Sequence, residues 1–351
     1  MKNKMNIAFK CGAAALAVAC SSAPSVAESV KIIFETDMQS DCDDAATLAM
    51  LHAYADRGEI ELLAVITNSR SVDSVAGVDA INTYFGRPDL PIGAYKGDEV
   101  GEAFTPIYRD INADPDRFPH DVDSRVDVPD AVQVYRKILE ENDDVVIVSV
   151  GHMQNIADLL RSTGGAELVA EHVDQMVVVG GSVLPMEGET NLTRFNSAPA
   201  AAFVMENFPQ PMLFSPWEVG TMIVTGAELA DNSELNPARE AYVRFADYAA
   251  NLQWPNGVFP VSGGVIVGPP LQDGRPSWDQ VGAMVAARGT QDFFTIKSDG
   301  YMFVENKESG QTEWRQGRDN PNHANHFYLE KVVADHTIRD AVLDAMDYDA
   351  F

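Results

Sequence analysis

Asp37, Asp41, Asp43 and Asp44 place four carboxylates in the short segment Asp37-Met38-Gln39-Ser40-Asp41-Cys42-Asp43-Asp44. Carboxylates this close repel one another, so a fold that gathers them must protonate some or share a cation among them. Donors that are all oxygen suit a hard cation. A helix start is the rival explanation, because Asp43 and Asp44 at a helix N-terminus would complement its dipole. It accounts for one or two of the four. The run lacks the Gly and the distal Glu of an EF-hand loop. Glu35-Thr36-Asp37-Met38 also does not supply the Asp-x-Asp-x-Thr of a phosphatase nucleophile after a strand.

The elements that must position these acids alternate. Lys31 to Phe34 reads as a buried strand, followed by the acidic loop and a helical pattern from Ala45 to Tyr54. Strand Glu61 to Thr67 precedes helix Val75 to Phe85, helix Val128 to Glu141 precedes strand Val145 to Val150, and helix Asn155 to Arg161 precedes strand Gln175 to Val179. Ala198 to Glu206 and Pro211 to Phe214 continue the rhythm, with later helices at Ala238 to Leu252 and Gln280 to Arg288. This alternation predicts an α/β fold with a mostly parallel sheet and helices on both faces. Ligands of such sheets bind beyond the carboxyl ends of the strands. The polar clusters fall there: the acidic loop, Asn68 to Ser71, Gly151 to Asn155 and the segment from Gly180 to Asn196. No linker or internal repeat divides the chain, so residues 28–351 read as one large domain.

Residues 1–27 read as an export leader. Lys2, Lys4 and Lys10 precede the apolar run Cys11 to Cys20, and Ser25-Val26-Ala27 supplies small residues for cleavage. The run is too short to span a bilayer. A periplasmic or secreted location follows. Lipidation of Cys20 is the less favoured alternative, since Leu16 sits one place too far upstream of it. Only Cys42 of the three cysteines survives cleavage, so the mature chain has no internal disulfide. With 53 acidic against 25 basic residues and a formal net charge of −28, the chain repels phosphate backbones and anionic membranes. Its partner is neutral or cationic.

At the acidic loop the sequence resembles the inosine-uridine preferring nucleoside hydrolase family, whose first strand leads into Asp-Thr-Asp-Pro-Gly-x-Asp-Asp-Ala. Here Glu35-Thr36-Asp37-Met38-Gln39-Ser40-Asp41-Cys42-Asp43-Asp44-Ala45 stands in that place, with two residues inserted and Pro-Gly absent. Matching the Asp-Asp-Ala end puts Asp37, Asp43 and Asp44 on family positions and leaves Asp41 as an extra carboxylate. The opposite register would put Cys42 on a ligand position, which a hard cation disfavours.

The resemblance recurs in order along most of the chain. Leu62 to Thr67 and Gly86-Arg87-Pro88-Asp89-Leu90-Pro91-Ile92 look like the family's second strand unit. Val148 to Ala157 resembles the stretch ending Gly-Pro-Leu-Thr-Asn-x-Ala, with Gln154 at the Thr whose main chain offers a calcium ligand. Val179-Gly180-Gly181 and Arg194-Phe195-Asn196 are similar to the Gly-Gly and Glu-Phe-Asn that hold the ribose. Asn196 carries over, whereas Arg194 stands where the family has Glu. Pro276-Ser277-Trp278-Asp279-Gln280 resembles the late His-Asp-Pro, with Asp279 as the distant calcium ligand and Trp278 in place of the His.

The resemblance implies the nucleoside hydrolase fold and a Ca2+ site of Asp37, Asp43, Asp44, Gln154 and Asp279. Asp37 would be the base that activates water. Asp41, Asp43, Asn191, Asn196, Glu218 and Trp278 form the expected substrate-binding set, with Glu189 in a segment that approaches the sugar. The expected activity is hydrolysis of an N-glycosidic bond in a ribonucleoside or related ribosyl compound. Trp278 has no proton to transfer, so it cannot act as a general acid. His152, His323 and His326 are the nearest acids by motif position or sequence company, although Pro321 and its two Asn neighbours predict a loop around the last two. The runner-up is a calcium-containing, carbohydrate-directed relative without nucleoside hydrolase activity, with Trp217, Trp254 and Trp278 as stacking platforms. The family is often oligomeric; no interface is legible in the sequence.

Overall fold

Val30–Thr36 carries Ile32, Ile33 and Phe34 in succession, all fully buried, as a central strand covered on both faces requires. The computed structural model describes residues 29–39, 41–101, 106–251, 259–260, 266–267, 274–317, 323 and 325–350. The expected leader, Cys20, Leu252 at the end of an expected helix, Trp254 and Pro321 lie outside them. In chain order the strands are β1 (Val30–Thr36), β2 (Ile60–Thr67), β3 (Ile92–Ala94), β4 (Val145–Ser149), β5 (Val173–Val179), β6 (Met186–Glu187), β7 (Met212–Ser215), β8 (Val224–Thr225), β9 (Phe259–Pro260), β10 (Ile266–Val267), β11 (Arg275–Pro276), β12 (Phe294–Lys297), β13 (Gly300–Val304), β14 (Gln311–Gln316) and β15 (His326–Lys331).

Eight of them form one sheet in the order β12-β15-β7-β5-β4-β1-β2-β3. Only β12, at one edge, runs antiparallel to its neighbour. The chain winds outward from β1 through β2 to β3, then returns to β4 on the other side of β1, which makes the β1/β4 boundary the topological switch point. Register aligns the strand ends there. Glu35 pairs with Ser149 and Thr36 with Thr67, while Asn68 N donates to Thr36 O at 2.9 Å and Val150 N to Glu35 O at 2.8 Å. The residues that follow, Asp37, Asn68 and Gly151, therefore emerge side by side.

Alternate side chains of the strands feed two cores. Ile32, Phe34, Val148 and Val177 pack with helices Asp43–Asp56, Ser74–Tyr84, Pro237–Asn251, Trp278–Arg288 and Asp335–Met346. Ile33, Ile147, Met176 and Val178 pack with helices Ala131–Glu141, Gln154–Arg161 and Ala198–Asn207, and with Met302 and Trp314 of the small sheet β13-β14-β6. Helix Asp43–Asp56 is enclosed by other helices and buried from Asp43 through Tyr54, so it shows no amphipathic stripe.

The expected elements are present, with two corrections. The helix read from Val128 begins at Ala131, where the Asp130 side chain caps it by accepting from Val132 N at 2.9 Å. His326 does not lie in a loop; it opens β15, which pairs with β7 and β12. Among the described residues no helix is long and apolar enough to cross a membrane.

Candidate metal and catalytic site

Asp43 and Asp44 are the first two residues of helix Asp43–Asp56, and Asp279 is the second of helix Trp278–Arg288. The two helices pack together, so both N-termini deliver carboxylates to one place. One oxygen from each of Asp43, Asp44 and Asp279 lies within 4.8 Å of the others, and all three residues are buried. The N-cap position belongs to Cys42, whose side chain makes no capping bond, so neither acid serves as a cap.

Burial pushes the carboxyl groups of Asp43, Asp44 and Asp279 well above the usual carboxylate range, and repulsion among them and from Asp41 and Asp37 adds to it. Three buried oxygen donors that cannot all be anions alone fit a hard divalent cation. Thr36 Oγ1 donates to Asp44 Oδ1, and Met38 N approaches the same oxygen at 3.3 Å, which orients that carboxylate. Met38 adopts φ 36° in the left-handed region with its side chain fully buried, so the inserted loop turns there without the glycine the turn would favour.

Asp37 lies beside the trio. Its carbonyl accepts from Ser69 Oγ at 3.0 Å and Ser74 Oγ at 3.3 Å, which fixes the main chain. Its Oδ2 accepts from Gln39 Nε2 at 3.2 Å, and His152 Nε2 stands 3.7 Å away. Protonation states follow from the partners. Asn191 O can only accept, so His152 Nδ1, 3.2 Å from it, carries the hydrogen; burial lowers the His152 pKa to about 4 and keeps the ring neutral. His152 Nε2 is then an acceptor for Gln39 Nε2 at 3.2 Å. The Gln39 amide thus bridges base and imidazole, and Asn191 anchors the chain by donating Nδ2 to Val150 O and Val179 O. Beneath Asp37, Glu35 is fully buried, receives hydrogen bonds from Tyr135 and Asn155, and is raised by burial to about 7.

Gly151 makes this approach feasible. A Cβ there would lie 2.7 Å from Asn68 Oδ1, 2.8 Å from Asp37 N and 2.9 Å from Asp37 Cβ. Gly151→Ala is expected to cost about 1–3 kcal/mol of stability and to displace Asp37. Urea unfolding checks the first part, and a fall in turnover beyond the loss of folded protein checks the second.

The other expected residues are distributed around this centre. Asp41 is not part of the trio: both its oxygens receive Arg275, and Oδ1 also accepts from Cys42 N at 2.7 Å. Gln154 opens helix Gln154–Arg161 and its side chain donates to Asp158 at 2.7 Å. The Asn196 side chain donates to Glu99 O at 2.9 Å, and Glu308 accepts from Phe195 N and Asn196 N. Glu218 accepts from Ser182 Oγ and from Val183 and Leu184 main-chain N–H groups, so it shapes the turn after β5. Glu189 does the same for Asn191 and Leu192. The Trp278 indole N–H donates to Trp217 O at 3.0 Å, with Thr221 Oγ1 at 3.2 Å. His326 is buried among main-chain partners, Met302 N and Met205 O, while His323 pairs with Glu206. Arg275, Gln39, Ser69 and Ser74 were not among the expected residues. The one sequence signal for Arg275 is its place four residues before Asp279.

The sequence pattern of the inosine-uridine preferring nucleoside hydrolases matches residues 32–339. Solved structures are similar across nearly the whole chain. An inosine-guanosine nucleoside hydrolase covers 90% of this chain and 97% of its own at TM-score 0.62 and 17% identity. An inosine-uridine preferring nucleoside hydrolase from Bacillus anthracis covers 91% and 99% at 0.61 and 13%. The type III effector protein XopQ, solved with adenosine diphosphate ribose, covers 91% and 93% at 0.63 and 15%. At these identities the likeness establishes the fold. A comparison with curated proteins finds no match.

Proposed function

The chain belongs to the inosine-uridine preferring nucleoside hydrolase family, and from that premise we propose that it is an exported, calcium-dependent hydrolase of the N-glycosidic bond in a ribonucleoside or related ribosyl compound. The observation that carries the reading is the buried trio Asp43, Asp44 and Asp279 beside Asp37, beyond the carboxyl end of β1 at the switch point of the sheet. The trio would hold the ion, with Asp37 and the Gln154 carbonyl completing the set that the family resemblance implies. Calcium bound there supplies Lewis acidity toward the attacking water and the sugar hydroxyls.

Asp37 takes the proton of the water whose oxygen bonds to the anomeric carbon, while the bond from that carbon to nitrogen breaks and its electrons leave with the base. Gln39 and His152 keep the Asp37 carboxylate in one orientation, so its reach toward water is set before substrate arrives. The surrounding acids favour the cationic sugar of the transition state. Trp278 contributes no proton to the leaving group, because its N–H is committed to Trp217 and Thr221.

That commitment, and Arg194 where the resemblance expects Glu, favour a second reading: a carbohydrate-directed relative that keeps the calcium site without cleaving nucleosides. The test is reducing-sugar release from nucleosides with neutral and cationic leaving groups and from oligosaccharides, with calcium and after chelation. Calcium-dependent release of ribose is expected. Calcium binding without release from any nucleoside would favour the second reading. Export rests on residues 1–27, and N-terminal sequencing of the secreted or periplasmic protein is expected to begin near Glu28.

A further inference from the structure

We infer that Arg275 and Asp41 form a clasp that sets the distance between the two halves of the metal site, an inference that rests on the calcium reading above and goes beyond it in assigning a role to the inserted loop. Arg275 Nε donates to Asp41 Oδ1 at 3.0 Å and Arg275 Nη2 to Asp41 Oδ2, a two-pronged pair that fixes direction as well as distance. The pair is enclosed on the arginine side, while Asp41 is half-buried. Arg275 is buried, its guanidinium lies over Phe245 at 4.9 Å and Trp278 at 5.4 Å, and Tyr108 Oη donates to Asp41 O at 3.0 Å.

The partners lie at strategic points of the chain. Asp41 precedes Asp43 and Asp44 by two and three residues, inside the stretch that the family pattern lacks. Arg275 lies in β11, held to β8 by pairing with Thr225, and its strand runs through Pro276 and Ser277 into the helix that carries Asp279. A covalently short path therefore joins each clasp residue to its own part of the carboxylate trio. The clasp closes the loop that joins those parts. Arg275 also offsets one negative charge close to Asp43, so four carboxylates rather than five face the ion. In this role Arg275 and Asp41 are positioning residues, acting through the carboxylates they hold in place.

The two roles open to Arg275 predict opposite signs. If it acted only as a nearby positive charge, its removal would tighten cation binding. As a clasp, its removal loosens it. The test titrates the calcium-stripped full chain with Tb3+, read by luminescence sensitised through the protein's tryptophans and competed with Ca2+. Asp41→Asn and Arg275→Gln are each expected to weaken Tb3+ by about 10- to 100-fold. The double variant should lose no more than either alone, because the pair acts as one unit. Arg275→Lys, which keeps the charge without the fork, should fall between. Thermal unfolding in chelator identifies any variant that fails to fold, and Arg275→Lys carries the test if Arg275→Gln does not, because a bare charge role predicts unchanged binding for it. Equal or tighter binding by Arg275→Gln, or additive losses in the double variant, would overturn the clasp. Absence of Tb3+ and Ca2+ binding by the unsubstituted chain would overturn the calcium reading, and the clasp with it.

Discussion

Asp37→Asn lowers turnover by about 10²- to 10⁴-fold, the range for loss of a general base, while leaving the melting temperature near that of the unsubstituted protein. The side chains are equal in shape. With its amide oxygen at the Oδ2 position, the substituted side chain still accepts from Gln39, whose own contact to His152 is untouched. What is lost is the capacity to take a proton. The main chain is held independently through Ser69 and Ser74, so the loop has no reason to move. Measured at saturating calcium, the loss should appear in kcat more than in KM, because proton removal belongs to the transition state. A loss confined to KM would mean that Asp37 serves only to hold ion or substrate and that another group is the base.

The fold was legible where periodicity is local. Runs such as Lys31-Ile32-Ile33-Phe34 announce buried parallel strands, and their alternation with helices predicts the sheet and its binding edge. Asp37, Asp43 and Asp44 were legible as a group because they share one loop. Asp279 became visible only through the family resemblance, since more than two hundred residues separate it from the loop it meets. The contact of Arg275 with Asp41 was hidden for the same reason: neither period nor spacing encodes a pairing across 234 positions. Gln39 was hidden differently, as an uncharged residue whose importance lies in which atoms it bridges. His326 was misread because Pro321 and the nearby Asn residues outweighed the alternation of the strand that follows, which is fixed by tertiary pairing with β7 and β12. The β13–β14 hairpin carries an alternation in Gly300–Val304 that local reading could have found.

Calcium raises the melting temperature strongly near pH 8 and hardly at all near pH 5. The folded state holds the carboxyl groups of Asp43, Asp44 and Asp279 above their ordinary range, by burial first and by mutual repulsion second. In the unfolded chain an Asp titrates near 4. Between those values the folded state binds more protons than the unfolded one, so the calcium-free protein loses stability as pH rises through the window, the reverse of an Asp paired with a cation. Glu35, raised by burial to about 7, acts with the same sign. Calcium competes with protons for the same oxygens, so its affinity climbs as they ionise. At a hundredfold excess over Kd it contributes about 2.7 kcal/mol, or roughly 4 °C for a chain of this size. Thermal unfolding at the two pH values, with calcium and with chelator, checks the sign. Asp279→Asn sharpens it by removing one buried charge and one ligand together: the variant should lose less stability with rising pH in chelator and should no longer respond to calcium. A calcium-free protein whose stability instead rises between pH 5 and pH 8 would mean that the trio is ionised in the fold and balanced by a charge within the protein.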